Sequence, residues 1–205
     1  MAFSEDTTFI IFSNVLWSER NLVQHQVALE LSRRYNVIYL NPPVLWDPTY
    51  KSRKYRRTFR VNGNLAVMYH RHVLPIRIFK RFFRVVNDLI TERSIRSYMR
   101  NSTEVVVWNF DRLRTSRFYL IDPSRVMYHV VHNKFGEAGD EELASNADMV
   151  LCSHSSYVDL YKDFNDRTIH FPPCIAQEQD QSSSRSDSFE VSGRYLAFVG
   201  ELNQD

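Results

Sequence analysis

The chain has 205 residues, of which 43% are hydrophobic, 14% aromatic and 24% charged, and its formal net charge is +2. This composition excludes a fully disordered chain, and five glycines exclude collagen-like repeats. Two cysteines, Cys152 and Cys174, are too few for a disulfide framework or a cysteine-based zinc site. No apolar run approaches the roughly 20 residues of a membrane span, and the first residues lack the pattern of a secretory signal. We therefore expect a reduced, cytoplasmic setting.

The first part of the chain predicts a strand–helix–strand unit. Residues 8–13 form a short apolar run typical of a buried strand, and residues 21–35 have the spacing of an amphipathic helix. A second strand is predicted at 36–40, before Asn41-Pro42-Pro43. Strands joined in this way pair in parallel. Further along, the pattern predicts an exposed loop, a strand and a long helix, at 47–63, 64–73 and 76–99.

The second part continues the alternation of strands and helices. Strands are predicted at 104–110, 125–132, 148–153 and 167–171, and helices at 140–147 and 154–164. The fold class predicted is α/β, a Rossmann-like domain at 1–175 with a mostly parallel sheet flanked by helices. Residues 176–193 are rich in Gln, Ser, Asp and Glu and predict a linker or disordered loop. The apolar run within 194–205 is expected to be the first strand of a second domain.

Positive charge is concentrated in one block. Residues 51–100 contain 14 lysines and arginines against Asp88 and Glu92, an excess of 12 positive charges. Such a block indicates an anionic partner: phosphate-bearing lipid, nucleic acid or an acidic domain.

Several segments resemble one enzyme family. The segment Ala147-Asp148-Met149-Val150-Leu151-Cys152-Ser153, which precedes a predicted helix, looks like a segment of the GT-B glycosyltransferases, and so does the apolar opening Tyr195–Leu202. Arg20 and Gln24 in the first helix resemble bacterial polysaccharide glycosyltransferases, although the loop 14–18 has no glycine. The resemblance covers the first half of that fold. It implies transfer of a sugar from a nucleotide donor to a polysaccharide or lipid-linked acceptor, with no resident cofactor. It also implies that a second, C-terminal domain binds most of the donor.

Ligands of open α/β sheets bind beyond the carboxyl ends of the strands. The resemblance and this rule together give two catalytic candidates, Asp111 and His132. They also give five candidates for substrate binding, which are Asn14, Trp17, Arg20, Gln24 and Asn133. Each has a structural alternative: a turn cap, a polar strand end, a surface ion pair or packing on the sheet. His129 is expected to be a buried histidine with satisfied hydrogen bonds.

The start of the long helix mixes cations with aromatic residues. The pattern is typical of a helix that lies in a membrane interface, and anionic lipid would add about 1 kcal/mol for each nearby cation. The candidate membrane-binding residues are Arg77, Phe79, Lys80, Arg81, Phe82, Phe83 and Arg84. A peripheral position at the inner face of the membrane follows. The alternative is an ordinary amphipathic helix with a solvated basic face.

Two other functions remain open from the sequence. The chain could be a non-catalytic module that binds lipid or a partner subunit and completes a split glycosyltransferase. It could also bind nucleic acid through the basic block, but bulky apolar residues such as Ile78 and Val86 lie among those cations, so nucleic acid is not expected as a partner. Histidines are scattered and no metal site is expected.

Overall fold

The computed structural model describes residues 3–4, 6–17, 22–43, 58–70, 80–99, 102–112, 118–131 and 139–173. These residues form an α/β structure in which four helices accompany an eight-stranded sheet. The chain divides into two units, Met1–Cys174 and Ile175–Asp205, and every described residue lies in the first. The predicted linker at 176–193 and the predicted strand within 194–205 lie outside the described residues.

Apart from β3, the described strands and helices occur where the sequence predicts them, most of them with shorter bounds. In chain order they are β1 (Thr7–Phe12), α1 (Val23–Ser32), β2 (Asn36–Leu40), β3 (Phe59–Arg60), β4 (Leu65–Met68), α2 (Lys80–Arg96), β5 (Glu104–Asn109), β6 (Arg125–Val130), α3 (Asp140–Asn146), β7 (Met149–Cys152), α4 (Ser155–Lys162) and β8 (Thr168–His170). The α/β class and the mostly parallel sheet are confirmed.

The strands lie in the order β3-β4-β2-β1-β5-β6-β7-β8. All neighbours pair in parallel except β3, which is antiparallel to β4. The prediction of an exposed loop over 47–63 is wrong at Phe59–Arg60, which pairs with Ala66 and Val67. Two exposed residues have no apolar alternation, and they become a strand only because β4 offers an edge.

Side chains that alternate along the strands build a core on each face of the sheet. On one face, β-strand residues such as Phe9 and Tyr39 pack against Ala28 of α1. On the other face, Ile10 and Leu40 pack with Ile95 of α2. A third cluster joins β6 and β7 to α3 and α4. Helices on both faces make this a doubly wound sheet.

The strand order places the site of interest. From β1 the sheet grows through β2 and β4 in one direction and through β5 to β8 in the other. The order therefore reverses between β1 and β5, and in open sheets the crevice at such a switch point, beyond the carboxyl ends of the strands, holds ligands. Phe12 of β1 pairs with Asn109 of β5, so the residues that follow these two strands lie side by side.

Candidate functional site

The loop after β1 is held by hydrogen bonds from its own Ser13 and from side chains at the end of β2. Ser13 Oγ accepts the backbone N–H of Val15 over 3.0 Å and donates to the Val15 carbonyl over 2.9 Å. The hydroxyl of Tyr39, 2.6 Å from Ser13 Oγ, donates to it from β2. Asn41 Oδ1 accepts the backbone N–H of Trp17 over 2.6 Å. The N–H groups of Val15 and Trp17 are therefore occupied inside the protein.

Of the five candidate substrate-binding residues, three lie in the described part of this region. The indole of Trp17 packs edge-on against the rings of His25 and Tyr39, with centroids 5.0 and 4.9 Å away. Gln24 is 3% exposed, and its Nε2 donates to Asn14 Oδ1 over 3.0 Å. Asn14 is exposed. The structure thus brings Asn14 and Gln24 together, and their binding of substrate stays a prediction.

The loop after β5 contains the first catalytic candidate. Asp111 is 6% exposed, and its backbone N–H donates to Asn109 Oδ1 over 2.8 Å. The N–H of Phe110 donates to the carbonyl of Phe12 over 2.8 Å, which extends the pairing of β5 with β1 by one residue. Asp111 and Asn14 each follow the last paired residue of their strand by two positions. The switch point is therefore flanked by a carboxyl group and an amide.

Arg20 and the pair His132 and Asn133 lie outside the described residues. After that gap, the described chain continues at Gly139. Gly139 has a φ of 95°, which favours glycine, and a Cβ there would lie 3.1 Å from the carbonyl oxygen of Arg112. The loop after β5 and the start of α3 are therefore in close contact.

A chain of hydrogen bonds crosses from β5 to β7 through His129. Trp108 Nε1 donates to His129 Nδ1 over 3.3 Å, and His129 Nε2 lies 3.0 Å from Ser153 Oγ. His129 is 1% exposed, and burial lowers its pKa to about 4, so the imidazole is neutral at pH 7. The expectation of a buried, satisfied histidine is confirmed.

On the opposite face of β6, Asp140 binds two phenols. Asp140 is 1% exposed and accepts the hydroxyl protons of Tyr128 on β6 and Tyr161 on α4. Burial, with Asp140 beside them, raises the pKa of both tyrosines far above the ordinary value. Burial and the same carboxyl group raise the pKa of the Cys152 thiol to about 11, which makes it unreactive at neutral pH. This cluster ties α3 and α4 to the sheet.

Helix α2 contains five of the seven membrane-binding candidates. Lys80, Arg81 and Arg84 lie in its first turns together with Phe82, which is 65% exposed. Phe83, the next residue, is half-buried. Arg77 and Phe79 lie outside the described residues. None of the helices in the described ranges combines the length and apolar composition needed to cross a bilayer.

Phe82, Val86 and Ile90 are spaced four residues apart and form one stripe along α2. Phe82 and Ile90 are 65% and 40% exposed, and Val86 is half-buried. This stripe, termed the α2 stripe, is exposed at both of its ends, Phe82 and Ile90.

No protein-family model matches this chain, and no curated protein matches its sequence. Within the ranges that the structure describes, no three His, Cys, Asp or Glu side chains cluster as a metal site requires.

Sequence reasoning missed Ser153 as a polar group of the carboxyl edge and missed the Asp140 cluster. The signal for Ser153 was its position directly after a predicted strand, the same signal that selected Asp111. No comparable signal marked Asp140, because its partners Tyr128 and Tyr161 are 12 and 21 residues away in sequence.

Proposed function

We propose that this chain is the acceptor-side half of a GT-B glycosyltransferase. The reaction moves a sugar from a nucleotide donor to a hydroxyl of a polysaccharide or lipid-linked acceptor at the inner face of a membrane. A second domain or a partner subunit supplies most contacts to the donor. The Rossmann-like sheet supports this proposal at the level of the fold. The polar residues at its switch point are the groups that would take part in the reaction.

The observation that carries the proposal is the position of Asp111. A carboxyl group that follows β5 at the switch point stands where an open sheet receives its ligand. Glycosyl transfer needs a group that accepts the proton of the attacking hydroxyl, and a carboxylate can do so. Asn14, exposed on the neighbouring strand end, offers an amide that can bind the acceptor's hydroxyl groups.

The loop between β1 and α1 supports the proposal that the nucleotide donor binds to another domain and not to this loop. Nucleotide-binding sheets hold a pyrophosphate with free backbone N–H groups of a glycine-rich loop in this position. Here the N–H groups of Val15 and Trp17 are bonded to Ser13 and Asn41. A leaving diphosphate bound on the opposite half of a two-domain enzyme is consistent with this arrangement.

A transfer assay with the protein as its own gene produces it tests the proposal. We expect the protein to transfer sugar from a nucleotide sugar to a lipid-linked or polysaccharide acceptor. Replacing Asp111→Asn should lower kcat by about 10²-fold or more, because the proton acceptor is lost while the shape is kept. The measurement is transfer of radiolabelled sugar, with thermal unfolding as a check that the variant folds.

Asp122→Asn is the matched control, because Asp122 is exposed and precedes β6 at the opposite, amino edge of the sheet. It should leave transfer unchanged. Full transfer by the Asp111→Asn protein would overturn the role given to Asp111. Transfer that appears only after a second subunit is added would favour a module of a split glycosyltransferase.

A second observation favours contact with an anionic membrane. The α2 stripe exposes Phe82 in a helix whose sequence holds Lys80, Arg81 and Arg84 in the same turns. An exposed aromatic residue with cations close to it in the helix sequence is typical of a helix that lies in the headgroup region. Lipid binding by α2 would bring the acceptor edge of the sheet to a lipid-linked substrate.

Phe82→Ser should weaken binding to vesicles that contain phosphatidylglycerol by about 10-fold, because roughly 1.5–3 kcal/mol of apolar burial is lost. Co-sedimentation with vesicles measures this, and pure phosphatidylcholine vesicles should bind weakly. Tyr98→Ser removes an aromatic ring, 40% exposed, beyond the end of α2 and should have little effect. Equal binding by the Phe82→Ser and parent proteins would contradict the assignment, and tight salt-dependent binding to duplex DNA instead would favour nucleic acid.

A further inference from the structure

The hydrogen bonds around His129 have a defined direction. The Trp108 indole nitrogen can only donate, so His129 Nδ1, 3.3 Å away, is an acceptor and holds no proton. A neutral imidazole then has its proton on Nε2. His129 Nε2 therefore donates to Ser153 Oγ, 3.0 Å away.

The aromatic surroundings of His129 keep its imidazole neutral and so maintain the direction of these two hydrogen bonds. Its ring lies 4.7 Å from the ring of Phe110 and 5.5 Å from that of Phe171, measured between centroids. Burial among these rings disfavours the imidazolium, and the pKa of about 4 keeps His129 neutral through the physiological range. Both ring nitrogens are in use, so the imidazole itself has no nitrogen left for a ligand.

The hydrogen bond from His129 restricts the orientation of the Ser153 hydroxyl group. The oxygen of Ser153 accepts from His129, so the hydroxyl proton of Ser153 points away from the imidazole. Ser153 directly follows β7, is half-buried, and has its backbone N–H bonded to the carbonyl of Val130 over 2.9 Å. Its hydroxyl group therefore lies at the carboxyl edge of the sheet, the edge at which ligands bind.

We propose that Ser153 is a ligand-binding residue whose hydroxyl donates to an oxygen of the carbohydrate acceptor. Trp108 and His129 are positioning residues, because they fix which way the hydroxyl proton points. The ligand class rests on the proposed function, whereas the direction of the hydrogen bonds does not.

The experiment uses the 205-residue chain labelled with ¹⁵N. Histidine spectra should show His129 with its proton on Nε2 at pH 7. Methyl α-glucopyranoside and methyl α-mannopyranoside, added at millimolar concentrations, are the carbohydrate probes, and inorganic phosphate is the anionic probe. We expect at least one glycoside to shift the signals of Ser153 and His129 with a dissociation constant that can be fitted, and phosphate to shift neither.

Three variants separate a ligand contact from a structural role. Ser153→Ala should raise the dissociation constant of the glycoside by about fivefold, since one neutral hydrogen bond is lost. Ser155→Ala, at the neighbouring exposed serine of α4, should leave it unchanged. Trp108→Phe should mix the two tautomers of His129 in the ¹⁵N spectrum and weaken glycoside binding although residue 108 touches no ligand.

Several results would overturn the inference. These are no shift at Ser153 with either glycoside, shifts with phosphate alone, equal affinity in the Ser153→Ala protein, or a proton on His129 Nδ1. If one of them occurs while Asp111→Asn still abolishes sugar transfer, this inference fails and the proposed function stands. If glycosides bind through Ser153 and no transfer is found with any nucleotide sugar, the carbohydrate site stands and the glycosyltransferase proposal fails.

Discussion

The Asp140→Ala protein is expected to lose about 4 kcal/mol of its unfolding free energy. Asp140 is 1% exposed, and its two carboxylate oxygens accept the hydroxyl protons of Tyr128 and Tyr161. Removing the carboxylate leaves both phenols buried without their acceptor, and each unsatisfied group costs roughly 1–3 kcal/mol. The loss of the contact also detaches the start of α3 from α4, so the effect exceeds that of an ordinary surface change.

Urea denaturation followed by circular dichroism measures the loss as a shift of the midpoint. Glu141→Ala is the matched control, because it removes a carboxylate from the next, exposed position of the same helical turn. It should cost less than about 1 kcal/mol, the usual value for an acid at a helix start. Tyr128→Phe and Tyr161→Phe should each fall between the two. A midpoint for Asp140→Ala that matches the Glu141→Ala midpoint would show that the buried cluster does not stabilise the fold.

The second large effect is expected at Glu92 of α2. Its Oε2 accepts the backbone N–H groups of Tyr119, Leu120 and Ile121 over 2.8, 2.5 and 3.1 Å. Glu92 is 3% exposed, so this carboxylate holds the segment that leads into β6 from the side of the helix. We expect Glu92→Ala to lower the unfolding free energy by about 3 kcal/mol, because three hydrogen bonds to a carboxylate are lost and the buried N–H group of Ile121 is left unpaired.

Glu92→Gln keeps an acceptor oxygen without the charge and should lose about half as much. Glu30→Ala serves as control, since Glu30 on α1 makes only an exposed ion pair with Arg33 over 3.4 Å. That variant should change the stability by less than about 1 kcal/mol. Hydrogen exchange at the amide of Ile121 should accelerate in Glu92→Ala relative to the remainder of the sheet. Unchanged exchange together with unchanged stability would refute the anchoring role of Glu92.

The strands and helices of the fold were predictable because burial leaves a pattern in the sequence. Residues 36–40 are apolar throughout after Asn36, and the predicted strand is β2 with the same bounds. Strand β3 was not predictable in this way, since Phe59 and Arg60 are both exposed and pair only where β4 offers an edge. A strand of two residues forms because of its tertiary pairing and not because of the local conformational preference of its residues.

The positions of the candidate residues were predictable in outline and not in detail. The rule that ligands lie beyond strand ends selected Asn14 and Asp111, and the structure places both at the switch point. The direct contact of Gln24 with Asn14 could not be foreseen, because helical spacing gives the face of Gln24 but not its depth in the protein. Likewise, the pairing of His129 with Ser153 depends on the register between β6 and β7, in which Val130 pairs with Cys152. Sequence spacing contains no information on that register.

The position of β1 in the middle of the sheet has a consequence for the newly made chain. β1 pairs with β2 soon after it in sequence, but its other neighbour, β5, begins only at Glu104. At ribosomal speeds of about 5–20 residues per second, one edge of the strand Thr7–Phe12 waits several seconds for its partner. During that interval the run Phe9–Phe12 has an open edge next to unfinished core. A chaperone that binds the segment Thr7–Phe12 until residue 109 has left the ribosome would protect this open strand edge.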